Sequence, residues 1–203
     1  LSVNGRRTLV LASASSARAR LLRGAGLRFV RDCAAVDESA VKAAATENNA
    51  PVTATAAALA EAKAMTVSQR HPGAYIIGAD QILECDGEWF DKPADYDAVL
   101  KTLESLRNRT HQLVSAVVVV CDGVRVWQEV ETARLTMRPF TDRFLRSYMD
   151  EAGSDVLETV GAYRLEGIGV QLFSRIDGSF FTILGLPLLP LLEFLRRDGV
   201  IAH

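Results

Sequence analysis

Short apolar runs alternate with helical stretches along this chain, and the changes of period mark its elements. Thr8-Leu9-Val10-Leu11-Ala12 is an apolar run of strand length. The small polar residues Ser13-Ala14-Ser15-Ser16 follow it. Ala17 to Arg23 then has helical composition and is closed by Gly24 and Gly26. Residues 33–51 predict an irregular or short-helical connection ending at Pro51. An Ala-rich helix runs from Thr53 or Thr55 to about Val67, its end marked by His71-Pro72-Gly73. Ala74 to Gly78 predicts a second buried strand with Asp80 directly after it. Ile82 to Cys85 and Glu88 to Phe90 flank Asp86-Gly87, a strong hairpin signal.

The second half continues the alternation. A helix is predicted from Asp95 to Leu106. Leu113 to Cys121 and Val124 to Met137 make two strands around Asp122-Gly123. Thr141 caps a helix to about Ala152. Gly169 to Ile176, Asp177-Gly178 and Phe180 to Leu184 predict another hairpin, before a last helix over Leu188 to Arg197 stopped by Gly199. Interleaved strands and helices with three hairpins predict an α/β or mixed α+β fold with a mixed sheet. No repeat or linker interrupts the 203 residues, so one domain, divided into two lobes at most, is expected.

Composition narrows the function classes. With 49% hydrophobic and 24% charged residues the chain is an ordinary folded protein. Its net charge of −2 gives no general attraction for nucleic acid or an anionic membrane, so any phosphate must be held by a local basic cluster. Cys33, Cys85 and Cys121 are odd in number and unpaired in spacing, and His71, His111 and His203 are scattered. A disulfide framework or zinc site is not expected. No long apolar leader is present, and Phe180 to Leu195, interrupted by Pro187, Pro190 and Glu193, falls short of a membrane span. A cytoplasmic protein is the expectation.

Three segments carry candidate chemistry. Ser13 to Arg20 places hydroxyls and two arginines at a helix start, where unpaired N–H groups and the helix dipole favour an anion. A serine-capped helix with solvated arginines has the same spacing. Asp80, at the exit of a buried strand, is suited to a divalent cation or to taking a proton from water, and equally to capping a turn. Lys92 is held before Pro93, though a turn lysine is commonly just solvated. Lys63, Asp37-Glu38 and Glu166 are further candidates, each with a plain surface alternative. Walker-type GxxxxGK[ST], GxGxxG and GxSxG motifs are absent from the sequence.

Together these segments resemble the Maf family. Ser13-Ala14-Ser15-Ser16-Ala17-Arg18-Ala19-Arg20-Leu21-Leu22 is similar to its opening SxSPRRxxLL. Asp37-Glu38, Lys63-Ala64, Gly78-Ala79-Asp80 and Lys92-Pro93 resemble its acidic pair, KA, GAD and KP signatures. Arg109 to Ala116, Gly161-Ala162-Tyr163, Gly167 to Phe173 and Ile176-Asp177-Gly178 through Gly185-Leu186-Pro187 complete the order over about residues 9 to 195. Four departures stand out. Ser16 and Ala17 occupy the family's proline and first arginine, Gln81 the usual threonine, and Glu166 a usual glutamine; the Gly169 to Phe173 bend is one residue longer.

The resemblance implies an elongated Maf/ITPase-like fold with a mixed central sheet, flanking helices and a central cleft. It implies hydrolysis of nucleoside triphosphates, non-standard or modified ones included, to monophosphate and pyrophosphate. Asp80 would be the catalytic base. Ser13, Ser15, Arg18, Arg20, Lys63, Lys92 and Glu166 would form the substrate and phosphate set, while Glu38 and Asp80 would hold Mg²⁺ or Mn²⁺. A non-catalytic nucleotide-binding regulator linked to septum formation is the alternative it leaves. The expected partner is the nucleotide, with no nucleic acid or membrane; exposed hairpins and apolar strands allow a homodimer.

Overall fold

The computed structural model describes residues 7–33 and 35–202; His203 lies outside them. Seven strands form one mixed sheet: β1 (Leu9–Leu11), β2 (Val30–Arg31), β3 (Tyr75–Cys85), β4 (Glu88–Phe90), β5 (Thr110–Cys121), β6 (Val124–Met137) and β7 (Phe173–Asp177). Their order is β2-β1-β3-β5-β6-β7, with β4 paired to β3. β1 runs parallel to β2 and β3, whereas β3–β4 and β6–β7 are antiparallel. The helices are α1 (Ser16–Gly24), α2 (Glu38–Glu47), α3 (Val52–Ser68), α4 (Tyr96–Leu106), α5 (Asp142–Ala152), α6 (Phe180–Ile183) and α7 (Leu188–Arg197). None is long and apolar enough to cross a membrane among the described residues.

The chain divides into two compact units. The first comprises the described residues up to Gln81, with Ser115–Glu131 and those from Phe180 onward; the second comprises Ile82–Val114 and Thr132–Ser179. In the first unit, one face of the sheet buries Leu9, Leu11, Ile77, Val117 and Val119 with Leu22 of α1 and Leu191, Phe194 and Leu195 of α7. Trp127 stacks on Phe194 with ring centroids 5.2 Å apart. In the second unit, Val99, Leu103 and Leu106 of α4 and Leu145 and Tyr148 of α5 are buried, as are Leu83, Leu113, Leu135 and Met137 on the strands.

Both Asp-Gly hairpins form as expected. Asp86 and Gly87 have φ of 51° and 87°, and Asp122 and Gly123 of 48° and 74°, the pair of positive values that matches a tight turn to the strand twist. The third expected hairpin does not form. After Asp177-Gly178 the chain enters α6, closed by Leu184 N–H to Phe180 O at 3.1 Å and Gly185 N–H to Thr182 O at 3.0 Å. Gly178, at φ 135°, is needed because a side chain there would strike Ala133 of β6. A short apolar run such as Phe180 to Leu184 has no period that separates strand from helix. The first residues of the strand expected over Gly169 to Ile176 belong to a 3₁₀ turn, Ile168–Leu172, and the strand begins at Phe173. Residues 33–51 contain a ten-residue helix, α2, capped by Asp37.

Gly78 sets the approach of α3 to the sheet. A methyl group built on it would run into the Ala60 carbonyl and come within 2.9 Å of Ala64 Cβ. Because the obstacles include helix backbone, α3 itself would have to move. Gly78→Ala is expected to cost about 2–3 kcal/mol, read as a fall of roughly 5–10 °C in Tm. An unchanged Tm would mean α3 has slack against β3.

In the second unit, His111 is buried with its Nε2 2.7 Å from the Tyr163 hydroxyl, and both rings pack on Phe173. Its Nδ1 has no partner among the described residues. Burial alone pushes its pKa down to about 4, from an ordinary 6.5. The unfolded chain therefore takes up the proton first as pH falls. This stability contribution is complete above about pH 6.5 and disappears progressively toward pH 4, a loss of about 3 kcal/mol in all. Urea unfolding from pH 4.5 to 8 is expected to show that slope in the wild type and to lose it in His111→Phe. Equal slopes would contradict it.

Candidate functional site

Four charged side chains meet in the first unit. Lys63 on α3 places Nζ 2.5 Å from Asp80 Oδ1 and 2.7 Å from Glu38 Oε1. The Lys63 and Asp80 side chains are only 12% and 6% exposed, against 46% for Glu38. The close seat of α3 at Gly78 makes this contact: Ala60 and Ala64 sit over Gly78, so Lys63, one residue before Ala64, reaches Asp80 two residues along β3. Asp80 is thus not beyond the strand end but inside β3. A mid-strand carboxylate is tolerated there because an ammonium and an arginine lie beside it.

The acidic pair Asp37-Glu38 splits its tasks. Asp37 caps α2, accepting from Ala40 N–H at 3.0 Å and from the Ser39 hydroxyl at 2.6 Å. Glu38, the first residue of α2, turns to Lys63. Partial burial pushes the Glu38 carboxyl up, but Lys63's hydrogen bond and charge, helped by Lys42 and Arg18, outweigh it and hold the carboxyl below its ordinary value.

Arg18 is buried rather than displayed. Its Nε donates to Gly185 O at 2.8 Å, and its Nη1 donates to Ala79 O at 2.7 Å and to Ser13 Oγ at 3.1 Å. One guanidinium thereby ties the serine loop, β3 and the turn after α6 together. Burial holds its pKa below the ordinary value, and the charges of Asp80 and Glu38 offset only part of that. The positive φ of 89° at Gly185 brings that carbonyl into reach, and a side chain there would crowd the guanidinium. Ser15 caps α1 by accepting from Arg18 N–H at 3.3 Å, and Ser13 Oγ accepts from Ser15 N–H at 3.3 Å. The loop is therefore held in shape with the N-terminus of α1 at its end.

Among the other expected site residues, Arg20 is on the exposed side of α1. Two residues after Arg18, its Cα lies about 200° further around the helix. Lys92 and Glu166 belong to the second unit. Lys92 is exposed beside the buried Pro93, and Glu166 is 3.2 Å from Arg164, which also pairs with Asp155.

Two features escaped sequence reasoning. Arg31, on β2, donates to Ala14 O at 2.6 Å and so braces the serine loop from outside; an exposed strand arginine carries no signal of this. Gln81 is the second, reaching Ser115 Oγ at 2.9 Å and the Thr182 and Ile183 carbonyls at 3.0 and 3.1 Å. Ser115 also donates to Thr182 O at 2.8 Å, and the Thr182 hydroxyl bonds Glu131. This network pins α6 to the sheet directly behind Asp80. Only the departure at Gln81 from the resemblance hinted at it.

No group of three or more His, Cys, Asp or Glu side chains among the described residues is placed to hold a metal. Asp80 and Glu38 nevertheless converge on one point, Lys63 Nζ. Two carboxylates fit Mg²⁺ or Mn²⁺, which bind through one or two carboxylates together with water and substrate phosphate. The chemistry available here is therefore phosphate binding beside a buried carboxylate.

A family model and several known proteins match the chain. The family model described as "Maf-like protein" matches residues 8–198. A nucleoside triphosphate pyrophosphatase of Paramagnetospirillum magneticum is 58% identical over 193 residues, covering 94% of this chain and 98% of the relative. One from Granulibacter bethesdensis is 49% identical, covering 93% and 96%. A 7-methyl-GTP pyrophosphatase of Brucella abortus is 48% identical, covering 95% and 97%. Among solved structures, a nucleoside-triphosphatase / dITP/XTP pyrophosphatase of Mycobacterium abscessus aligns over 95% of both chains at 15% identity and a TM-score of 0.44.

Proposed function

The chain belongs to the Maf family, and on that premise we propose that it hydrolyses nucleoside triphosphates to a monophosphate and pyrophosphate, with Asp80 as the base. The observation that carries this reading is the meeting of Lys63, Asp80, Glu38 and Arg18 in one unit beside a helix N-terminus. Asp80 orients a water and accepts its proton. The water oxygen forms the new bond to α-phosphorus, and the bridging α–β oxygen leaves with pyrophosphate. Lys63, with the N–H groups and hydroxyls of the Ser13–Ser16 loop, binds the phosphate oxygens, while Arg18 keeps that loop and β3 in register. A divalent cation at Glu38 and Asp80 would neutralise charge on the triphosphate and on the departing pyrophosphate. The assignment of Lys92 and Glu166 to the substrate is carried by the family resemblance.

Relatives at 46–58% identity bear the names of pyrophosphatases, which favours turnover over a purely regulatory nucleotide binder. A cytoplasmic place of action goes with a nucleotide substrate. The test is a panel of nucleoside triphosphates, 7-methyl-GTP among them, with Mg²⁺ or Mn²⁺ in H₂¹⁸O. The expected products are monophosphate carrying the label and pyrophosphate. Formation of diphosphate and inorganic phosphate, or no turnover with any member, would refute the reading.

A further inference from the structure

We infer that Lys63 is a resident counter-ion that occupies the divalent-cation site of the nucleotide-free protein, so that the site opens only when a triphosphate draws Lys63 away. The inference rests on the pyrophosphatase reading above and adds an order of binding to it. Lys63 Nζ lies within hydrogen-bonding distance of both Asp80 and Glu38, on the point where their carboxylates converge. A divalent cation bound to the same pair would stand against this ammonium in a largely buried setting, where like charges repel strongly. No third metal-binding side chain among the described residues offsets that repulsion, and Asp37 is occupied in capping α2. The missing ligands must come from water and phosphate oxygens.

The two site cations differ in freedom. Arg18 is held by Ser13, Ala79 and Gly185. Among the described residues Lys63 is held by the two carboxylates alone, on a flexible four-carbon stem. A polyanionic triphosphate entering beside the serine loop offers Lys63 a second set of oxygens. As Lys63 turns to them, the Asp80–Glu38 pair is released with its two negative charges. Nucleotide and cation then bind cooperatively, since each removes an obstacle to the other.

The probe is Mn²⁺, followed by water proton relaxation, which distinguishes protein-bound Mn²⁺ from Mn²⁺ on nucleotide alone. Without nucleotide, Lys63→Met is expected to bind Mn²⁺ about 10-fold or more tighter than wild type, within the usual range of such couplings. Lys63→Arg, which keeps the charge, stays within about 3-fold of wild type. Should Lys63→Met fail to fold by circular dichroism, Lys63→Gln takes its place with the same expectation. An α,β-imido triphosphate, uncleavable at the α–β bond, is expected to raise the Mn²⁺ affinity of wild type. Equal Mn²⁺ affinity in Lys63→Met and wild type overturns the proposal while leaving the pyrophosphatase reading intact. Absence of protein-bound Mn²⁺ in every sample, analogue included, overturns the metal part of that reading and this proposal with it.

Discussion

Asp80→Asn is expected to reduce pyrophosphate release by about 10³-fold or more, with the fold retained. Asparagine keeps the shape of the side chain but cannot take a proton from water. Lys63 retains Glu38 as a partner at 2.7 Å, so its charge is not left alone in a largely buried place. Removing one negative charge from beside Arg18 and Lys63 leaves the site more positive, and a triphosphate should bind at least as well. The expected pattern is a collapse of kcat with the Kd of an uncleavable triphosphate, measured without divalent cation, within about 3-fold of wild type. Loss of nucleotide affinity with kcat nearly unchanged would instead make Asp80 a structural partner of Lys63, and the base would have to be sought elsewhere.

Arg18→Met is expected to destabilise the protein by about 3–5 kcal/mol, the range for removing one member of a buried charged network. Three acceptors, Ser13 Oγ, Ala79 O and Gly185 O, lose their donor together, and Asp80 and Glu38 lose a nearby positive charge. For a chain of this size the fall in Tm is about 6–20 °C. Arg18→Lys is expected to recover little, because an ammonium cannot present donors to three separate segments as the planar guanidinium does. Urea unfolding decides the matter. If Arg18 were only a solvated phosphate ligand, Arg18→Met would stay within about 0.5 kcal/mol of wild type and raise KM alone.

These two experiments separate roles that the sequence places side by side. Ser13, Ser15 and Arg18 are legible as a helix-start anion site, and the structure keeps that local form, with Ser15 as the cap. The direction of Arg18 was not legible, because a helix period does not say which neighbour will cover a given face. Arg20 shows the same limit: two residues from the buried Arg18, it lies on the exposed side of α1. The sequence predicts Asp80 past a strand end, since apolar runs stop at a charged residue. The strand instead continues through it to Cys85, because partners distant in sequence neutralise the charge in place.

Local chemistry alone determined the Asp-Gly hairpins, the long helices with their caps and stops, the alternation that makes the sheet mixed, and the identity of the ionic residues. Each of these depends on neighbours within a few positions, where steric and hydrogen-bonding preferences act directly on the backbone. Tertiary packing decided the rest: that Phe180 begins a helical turn, that Glu38 reaches Lys63, and that Arg18 braces three segments. Those outcomes depend on what lies across the sheet or beyond a turn. Burial and charge pairing between residues tens of positions apart set them, and no local pattern encodes such distances.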